Sequence, residues 1–297
     1  MNKESDSFAV GESWEISDVE GDISLVANGA HKNKSLKFLL ESFESELIGK
    51  RNHEIFGNTF PLLIKFIDAK ENLSIQLHPN DTLAAERHDS YGKTEMWYVM
   101  QADHDAKLIV GFNQKMTPEI YLKHLKEKTL PEILNFEKVK PGDAYFIEVG
   151  RIHAIGAGVL LAEIQQTSDI TYRIYDWDRK DSDGNARDLH NDLALDAINF
   201  NMDDDFRVRY SQTENEANNM VSCAYFTTNH LAVSNKTLYK ENRFDSFMVY
   251  LCVDGEATIK VDNHRETLLK GETVLIPACF KAYEISAKKA TLLEVYV

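Results

Sequence analysis

The sequence predicts a mainly β fold: two related β-barrels or sandwiches of jelly-roll type, the first with a helical insertion. Three observations carry this. Segments rich in β-branched and aromatic residues recur along the chain with alternate positions apolar, the two-residue period of a strand. Glycine, proline and asparagine punctuate those segments as turns. Finally, Lys140-Pro141-Gly142-Asp143-Ala144-Tyr145-Phe146-Ile147 is echoed by Leu269-Lys270-Gly271-Glu272-Thr273-Val274-Leu275-Ile276. Each copy is a turn, a glycine, an acid and an apolar strand, the mark of an internal repeat.

In chain order, residues 11–17 and 23–26 read as short strands. Residues 35–47 read as a helix, with Leu36, Leu39, Leu40, Phe43 and Leu47 on one face. Residues 61–68 form a buried-strand run with one cation, Lys65, inside it. Residues 73–81 follow, and a loop over 79–92 leads into a strand over 93–100. Residues 108–112 are another strand. Thr117-Pro118-Glu119 opens a helix with a capping threonine and a proline at its first position, and 131–136 reads as a second, short one. Strands resume over 144–149 and 158–165, and residues 188–198 read as a helix closing the first half. Residues 201–220 are polar, with Asp203-Asp204-Asp205 and Glu214-Asn215-Glu216, and read as a solvated linker. From 221 to the end the pattern is nearly all strand. The expected domains are therefore residues 1–200, a linker over 201–220, and residues 221–297.

Composition narrows the classes. The chain has 297 residues, 43% hydrophobic and 27% charged, as in a soluble globular protein. No apolar run approaches the ~20 residues of a membrane span. Residues 1–6 are polar and acidic, with no signal-peptide pattern. Cys223, Cys252 and Cys279 show no CxxC spacing, which points to a reducing compartment and away from a thiolate zinc site. A net charge of −15 argues against a nucleic-acid partner. It also means that an anionic substrate would need its own local cations.

The chemistry gathers at Leu73-Ser74-Ile75-Gln76-Leu77-His78-Pro79-Asn80-Asp81. On a strand, Ser74, Gln76 and His78 share one face while Ile75 and Leu77 share the other. In Lys93-Thr94-Glu95-Met96-Trp97-Tyr98-Val99-Met100 the residues Lys93, Glu95 and Trp97 share a face. His153 follows an apolar strand. Two histidines, a carboxylate and an amide oxygen suit Zn²⁺ or another divalent transition metal. On residues alone blander readings stay open. Either histidine could be structural, Glu95 an edge-strand surface residue, and Lys65 a snorkelling lysine. Trp14 and Trp97 read as core or cavity wall. His31, His53, His88, His104, His124, His190, His230 and His264 read as surface residues.

Several separate stretches carry a family resemblance in one order. They are Gly11-Glu12-Ser13-Trp14-Glu15, residues 73–81, Tyr91-Gly92-Lys93-Thr94-Glu95-Met96-Trp97-Tyr98, and Glu163-Ile164-Gln165-Gln166-Thr167-Ser168-Asp169-Ile170-Thr171-Tyr172-Arg173-Ile174-Tyr175-Asp176-Trp177. Over nearly its whole length the chain resembles the class I mannose-6-phosphate isomerases in their short bacterial form, which are cupin-fold zinc enzymes. The resemblance implies cytoplasmic interconversion of mannose 6-phosphate and fructose 6-phosphate. It implies one divalent metal per chain, Zn²⁺, on Gln76, His78, Glu95 and His153. It implies a catalytic Arg173, and Lys65, Lys93 and Ser74 near the substrate. Two departures stand out. Longer members carry His-Lys-Pro-Glu where this chain has Gly92-Lys93-Thr94-Glu95, so a mechanism using that histidine as base does not apply. A Trp-Gly-Gly strand before Gly11 is missing.

An aldose–ketose isomerase moves a proton between C1 and C2 through an enediol, with negative charge developing on O1 and O2. One carboxylate among neutral ligands leaves a Zn²⁺ site net positive, which suits that charge. Arg173 can add a permanent cation, or be a structural partner of Asp169 or Asp176. Lys93 and Glu163 are the candidates for proton transfer, and Glu163 is a single acid in an apolar run that would also meet substrate. Two other functions fit parts of the pattern: a cupin Fe(II) oxygenase and a non-catalytic sugar-binding cupin. The three basic side chains favour a phosphorylated substrate. The second copy has no Gln-x-His and no histidine after Gly271, Cys252 and Cys279 lie in apolar strands, and His264 lies in a turn. That domain is expected to bind no metal and to act as packing support.

Overall fold

The computed structural model describes residue 3, residues 10–203 and residues 205–297. The polar opening read at residues 1–6, apart from Lys3, and Asp204 of the acidic run lie outside the described residues. Two compact units are formed: Met1–Phe66 with Val208–Val297, and Ile67–Arg207. This division differs from a linear split at 201–220, because the N-terminal segment belongs with the C-terminal strands.

The first unit begins with β1 (Glu12–Ile16), α1 (Leu36–Ile48), α2 (Lys50–Phe56) and β2 (Leu62–Ala69), whose last residues enter the second unit. Residues 23–26 make only a single bridge, Leu25 to Ser35. Ser35 caps α1 by accepting from Phe38 N–H. The backbone leaves helical geometry at Glu44 (φ 44°), so one face does not run through: Leu36, Leu40, Leu47 and Ile48 are buried and Phe43 is exposed. The helices are tied to the C-terminal strands by specific contacts. The Asp245 carboxylate accepts from Lys50 and Arg51 N–H at 3.1 Å each, satisfying free donors at the start of α2. Gly49 lies between the helices at φ +96°, and a Cβ there would meet Asp245 O at 2.1 Å.

The second unit holds β3 (Ile75–Leu77), α3 (Asp81–His88), β4 (Glu95–Ala102), β5 (Lys107–Phe112), α4 (Pro118–Glu127), β6 (Leu134–Lys138), β7 (Ala144–Ile147), β8 (His153–Ile155), β9 (Val159–Gln166), β10 (Tyr172–Tyr175) and α5 (Asn191–Leu195). The predicted loop at 79–92 is mostly α3, capped by Asn80 Oδ1 on Leu83 N–H. The short helix expected at 131–136 is a 3₁₀ turn, Leu130–Ile133, running into β6. The helix expected over 188–198 covers five residues.

One sheet of this unit runs β10-β3-β8-β5-β6, and β4 pairs with β7 and β9 in another. Trp97, Val99, Leu108, Val110, Tyr145, Ile147, Val159 and Leu161, drawn from both sheets, form one core between them. Ile75, Leu77, Ile109 and Phe112 face the other way, into a second core with Tyr121, Leu130, Ile133, Ala194 and Ile198. The helical insertion is the cover for that outer face. It explains the odd text of β3: both its faces are buried, so its polar face is turned to the interior. In register, Gln76 is opposite His153 on one side and Arg173 on the other.

The C-terminal part of the first unit has β11 (Ala217–Ser222), β12 (Thr227–Glu241), β13 (Met248–Val261), β14 (His264–Leu269), β15 (Thr273–Ile276) and β16 (Ala282–Tyr296). They form the third sheet, in the order β11-β12-β16-β13-β14 with β15 on β13. The linker reading is corrected at both ends. Asp203 pairs with buried Arg151 at 2.6 Å and Arg207 donates to Tyr145 Oη at 2.8 Å, while Ala217 to Met220 already belong to β11. His230, read as a surface residue, is buried in β12, where the interior face takes it despite its polarity. Cys279 is exposed in a turn rather than in a strand, and only Cys252 is a buried strand cysteine.

Candidate metal centre

Three strands of the second unit bring His78, Glu95 and His153 together. Their ligand atoms lie within 4.8 Å of one another and all three residues are buried. His78, directly after β3, donates from Nδ1 to Ile170 O at 2.8 Å. His153, opening β8, donates from Nδ1 to Arg151 O at 2.9 Å. Each backbone carbonyl fixes its ring's orientation and leaves Nε2 as the lone-pair nitrogen. His78 Nε2 lies 3.4 Å from Glu95 Oε2, and His153 Nε2 lies 3.5 Å from Glu95 Oε1. Gln76 reaches the same point, its amide nitrogen 3.4 Å from His153 Nε2.

The electrostatics follow from burial and from Lys93. Burial, and then the Lys93 charge, pull the His78 imidazole down to about 4, and burial lowers His153 in the same direction. Both rings are therefore neutral near pH 7. Burial alone would raise the Glu95 carboxyl, but the Lys93 charge holds it well below the usual carboxylate range. Lys93 Nζ lies 2.6 Å from Glu95 Oε2 and 3.0 Å from His78 Nε2. Glu95 Oε1 is buried with no hydrogen-bond partner among the described residues. A carboxylate oxygen and an imidazole lone pair that face each other across 3.5 Å repel unless a cation lies between them. The donor set, two nitrogens, a carboxylate and an amide, fits a divalent transition metal.

Around this centre Ser74 Oγ joins Gln76 Oε1 to Arg173 Nε, at 3.4 Å each. Arg173 also donates to Asp188 O at 3.1 Å. It is not the hydrogen-bonded partner of Asp176, whose carboxylate is taken by Arg179 and Arg187. Burial and then the charge of Arg187 lower the Arg173 guanidinium. Glu163 shares the interior face with Glu95, opposite Trp97, and accepts from Trp97 Nε1 at 2.7 Å. The Trp97 ring meets His153 edge-on at 5.2 Å, so Trp97, in the core as expected, also links His153 to Glu163. Lys65 belongs to the first unit, with Nζ 3.5 Å from Glu12 Oε2 and 4.4 Å from the Trp14 ring centre.

Sequence reasoning missed the carbonyls of Ile170 and Arg151, which carry no side-chain signal. It also missed Arg179 and Arg187, although both stand in the sequence close after Arg173.

Comparison with known proteins places the whole chain. The description "Phosphomannose isomerase type I, catalytic domain" matches residues 3–114, and "Mannose-6-phosphate isomerase, cupin domain" matches residues 216–297. A mannose-6-phosphate isomerase of Bacillus subtilis is 34% identical over 274 residues, 91% of this chain and 84% of that protein. This chain belongs to the type I phosphomannose isomerase family. A second relative in the family, from Streptococcus mutans, is 32% identical over 94% of this chain and 86% of its own length. The crystal structure of the Bacillus subtilis mannose 6-phosphate isomerase matches with a TM-score of 0.85 at 31% identity, covering 97% of this chain and 89% of that one. The phosphomannose isomerase family member described here is an isomerase with a mainly β, cupin-containing fold. No described helix is long and apolar enough to cross a membrane.

Proposed function

We propose that this isomerase interconverts mannose 6-phosphate and fructose 6-phosphate in the cytoplasm, using one Zn²⁺ per chain. The observation that carries this is the buried His78–Glu95–His153 cluster with an unpartnered carboxylate oxygen, in a chain of this family. Gln76, His78, Glu95 and His153 would hold the metal, which would supply Lewis-acid stabilisation for charge developing on O1 and O2.

The chain's own residues do the rest. A base takes the C2 proton of the open-chain aldose and returns it at C1, while a proton passes from O2 to O1. Lys93 and Glu163 are the two groups able to carry it. Lys93 is buried against Glu95 and His78, and Glu163 is fixed by the Trp97 indole. Arg173, held by Ser74 and Asp188 O, offers a permanent positive charge to the enediolate. Substrate binding falls to Lys65, Ser74 and Glu163. Arg179 and Arg187 add positive potential beside Arg173, which a chain of net charge −15 needs to receive a phosphate.

The test is a coupled assay on metal-defined protein. Turnover of mannose 6-phosphate that vanishes with chelation and returns with Zn²⁺ is expected. Turnover unchanged after complete metal removal would refute the metal reading. Oxygen uptake with Fe²⁺, and no isomerisation, would refute the reaction. Lys65→Ala should weaken inhibition by inorganic phosphate roughly 5-fold, about 1 kcal/mol; an unchanged inhibition constant would remove Lys65 from the substrate pocket.

A further inference from the structure

The segment carrying α3 leaves the centre immediately after His78 and returns to it immediately before Lys93 and Glu95. Its two ends are joined by a closed set of hydrogen bonds. Gln166, the last residue of β9 and 5% exposed, accepts from Thr94 N–H at 2.8 Å and donates from Nε2 to Asp81 Oδ1 at 3.0 Å. The same Asp81 oxygen accepts from Gly92 N–H at 2.9 Å. Gln166 N–H donates to Thr94 O at 3.1 Å, completing the pairing on both sides of Thr94. Thr94 stands between Lys93 and Glu95, and Asp81 is three residues beyond His78.

Gly92 is required for this closure. A Cβ there would meet Asp81 N at 2.7 Å and Asp81 Oδ1 at 2.8 Å. The preceding glutamine extends the tie. Gln165 Nε2 donates to Gln166 O at 2.9 Å and to Ser168 O at 2.5 Å, bracing the turn that leads to the Ile170 carbonyl on His78.

We infer that Asp81, Gly92 and Gln166 form a clasp that sets the spacing of His78 against Glu95, and that they are positioning residues of the metal centre. The inference rests on the metal reading above. The physical reason is that a ligand set works only within a few tenths of an ångström, while the segment between these two ligands is long and would otherwise vary at its ends. Every member of the clasp is uncharged or paired by a donor, and none touches the reacting atoms.

The test is a polarity swap. Gln166→Glu sets a carboxylate against Asp81 and removes the donor between them. Adding Asp81→Asn removes one of the two facing charges; at the shared position its amide either donates to the new carboxylate or accepts from Gly92 N–H. The readouts are the visible spectrum of Co²⁺-loaded protein, the rate of Co²⁺ release to a chelator, and kcat and KM separately. Gln166→Glu should release Co²⁺ about 10- to 100-fold faster than the unaltered protein, with a changed spectrum and a fall mainly in kcat. The double variant should recover part of both losses, because the like-charge contact is gone, showing direct coupling. Gly92→Ala should act in the same direction as Gln166→Glu. Unaltered protein that binds no Co²⁺ removes the metal reading and this inference together. Binding by unaltered protein with an identical spectrum and release rate in Gln166→Glu overturns the clasp alone. So does a double variant no better than Gln166→Glu, or one that fails to fold.

Discussion

Of the carboxylates buried on strands, Glu95 in one unit and Glu294 in the other are compensated in opposite ways. Glu294, on β16, has a donor for each oxygen. Asn229 Nδ2 reaches Oε1 at 3.0 Å, and Tyr250 Oη at 2.6 Å and Lys240 Nζ at 2.5 Å reach Oε2. Tyr283 Oη, 2.8 Å from Tyr250 Oη, extends the network. Burial and then Glu294 push the Tyr250 hydroxyl well above its usual range, so it remains a donor. Glu95 has Lys93 on one oxygen, while the other is unpartnered and faces the lone pair of His153. A fully answered carboxylate is a structural element. A half-answered one, surrounded by neutral nitrogen ligands, is arranged for a cation from outside the chain. The contrast supports the proposed metal centre in the second unit without recourse to a family name.

The sharpest way to break this contrast is to remove the nitrogens. His78→Ala and His153→Ala are expected to take bound Zn²⁺ from one per chain to near zero, with kcat/KM falling more than about 100-fold, beyond what loss of an outer partner costs. Elemental analysis decides it. Full metal content in both variants would make Glu95 another closed structural carboxylate. Arg173→Ala comes next. It leaves the ligands in place, so metal content should hold while kcat falls about 10²- to 10³-fold, the usual cost of one electrostatic stabiliser. Unchanged turnover in the folded variant would remove Arg173 from the catalytic residues.

Much of this was legible in the sequence, and the reasons differ by element. The alternation of Ser74, Gln76 and His78 with Ile75 and Leu77 marked a strand with chemistry on one face, because a strand's period is short and strict. That the apolar face is covered by helices was not legible there, since the cover comes from residues more than forty positions on. α3 was signalled by Asn80 and Asp81 at its start, yet the loop predicted over 79–92 absorbed that signal. The residues gathered at the centre, His78, Glu95 and His153, were readable from residue type. Their orientation was not, because Ile170 and Arg151 act through backbone carbonyls that any residue would supply. Asp203 looked like part of a solvated acidic run; only the fold brings it to Arg151. The N-terminal helices were assigned to the wrong neighbours by linear reading, since the Asp245 side chain that caps α2 is nearly two hundred residues away in sequence.

Glu294→Gln sharpens the contrast from the structural side. The amide carries no charge for Lys240 and changes an acceptor into a donor opposite Tyr250 or Asn229. Lys240 keeps some access to water, which softens the loss. A destabilisation of about 2–4 kcal/mol is expected, read by denaturant unfolding, with activity per folded molecule unchanged. A large loss of turnover at unchanged stability would mean that Glu294 serves the reaction. Glu95→Gln should do the reverse in kind, losing metal and turnover.

The smallest expected effect comes from deleting one donor on each side. Tyr250→Phe removes the hydroxyl that donates to Glu294 Oε2 and leaves Lys240 and Asn229 in place. The carboxylate stays compensated, so the cost should be that of one charge-assisted hydrogen bond, about 1–2 kcal/mol, and Tm should fall by several degrees at roughly 2–4 °C per kcal/mol. Tyr283 loses its partner hydroxyl as well, which places the value toward the upper end. Kinetic constants should not move. Trp97→Phe deletes the donor to Glu163 in the other unit, and there the loss should appear in kcat or KM as well as in Tm, because Glu163 meets substrate in the proposed reaction. If the two variants prove alike, both lowering Tm and neither touching turnover, Glu163 belongs with Glu294 as a structural carboxylate, and Lys93 is left as the residue that moves the proton.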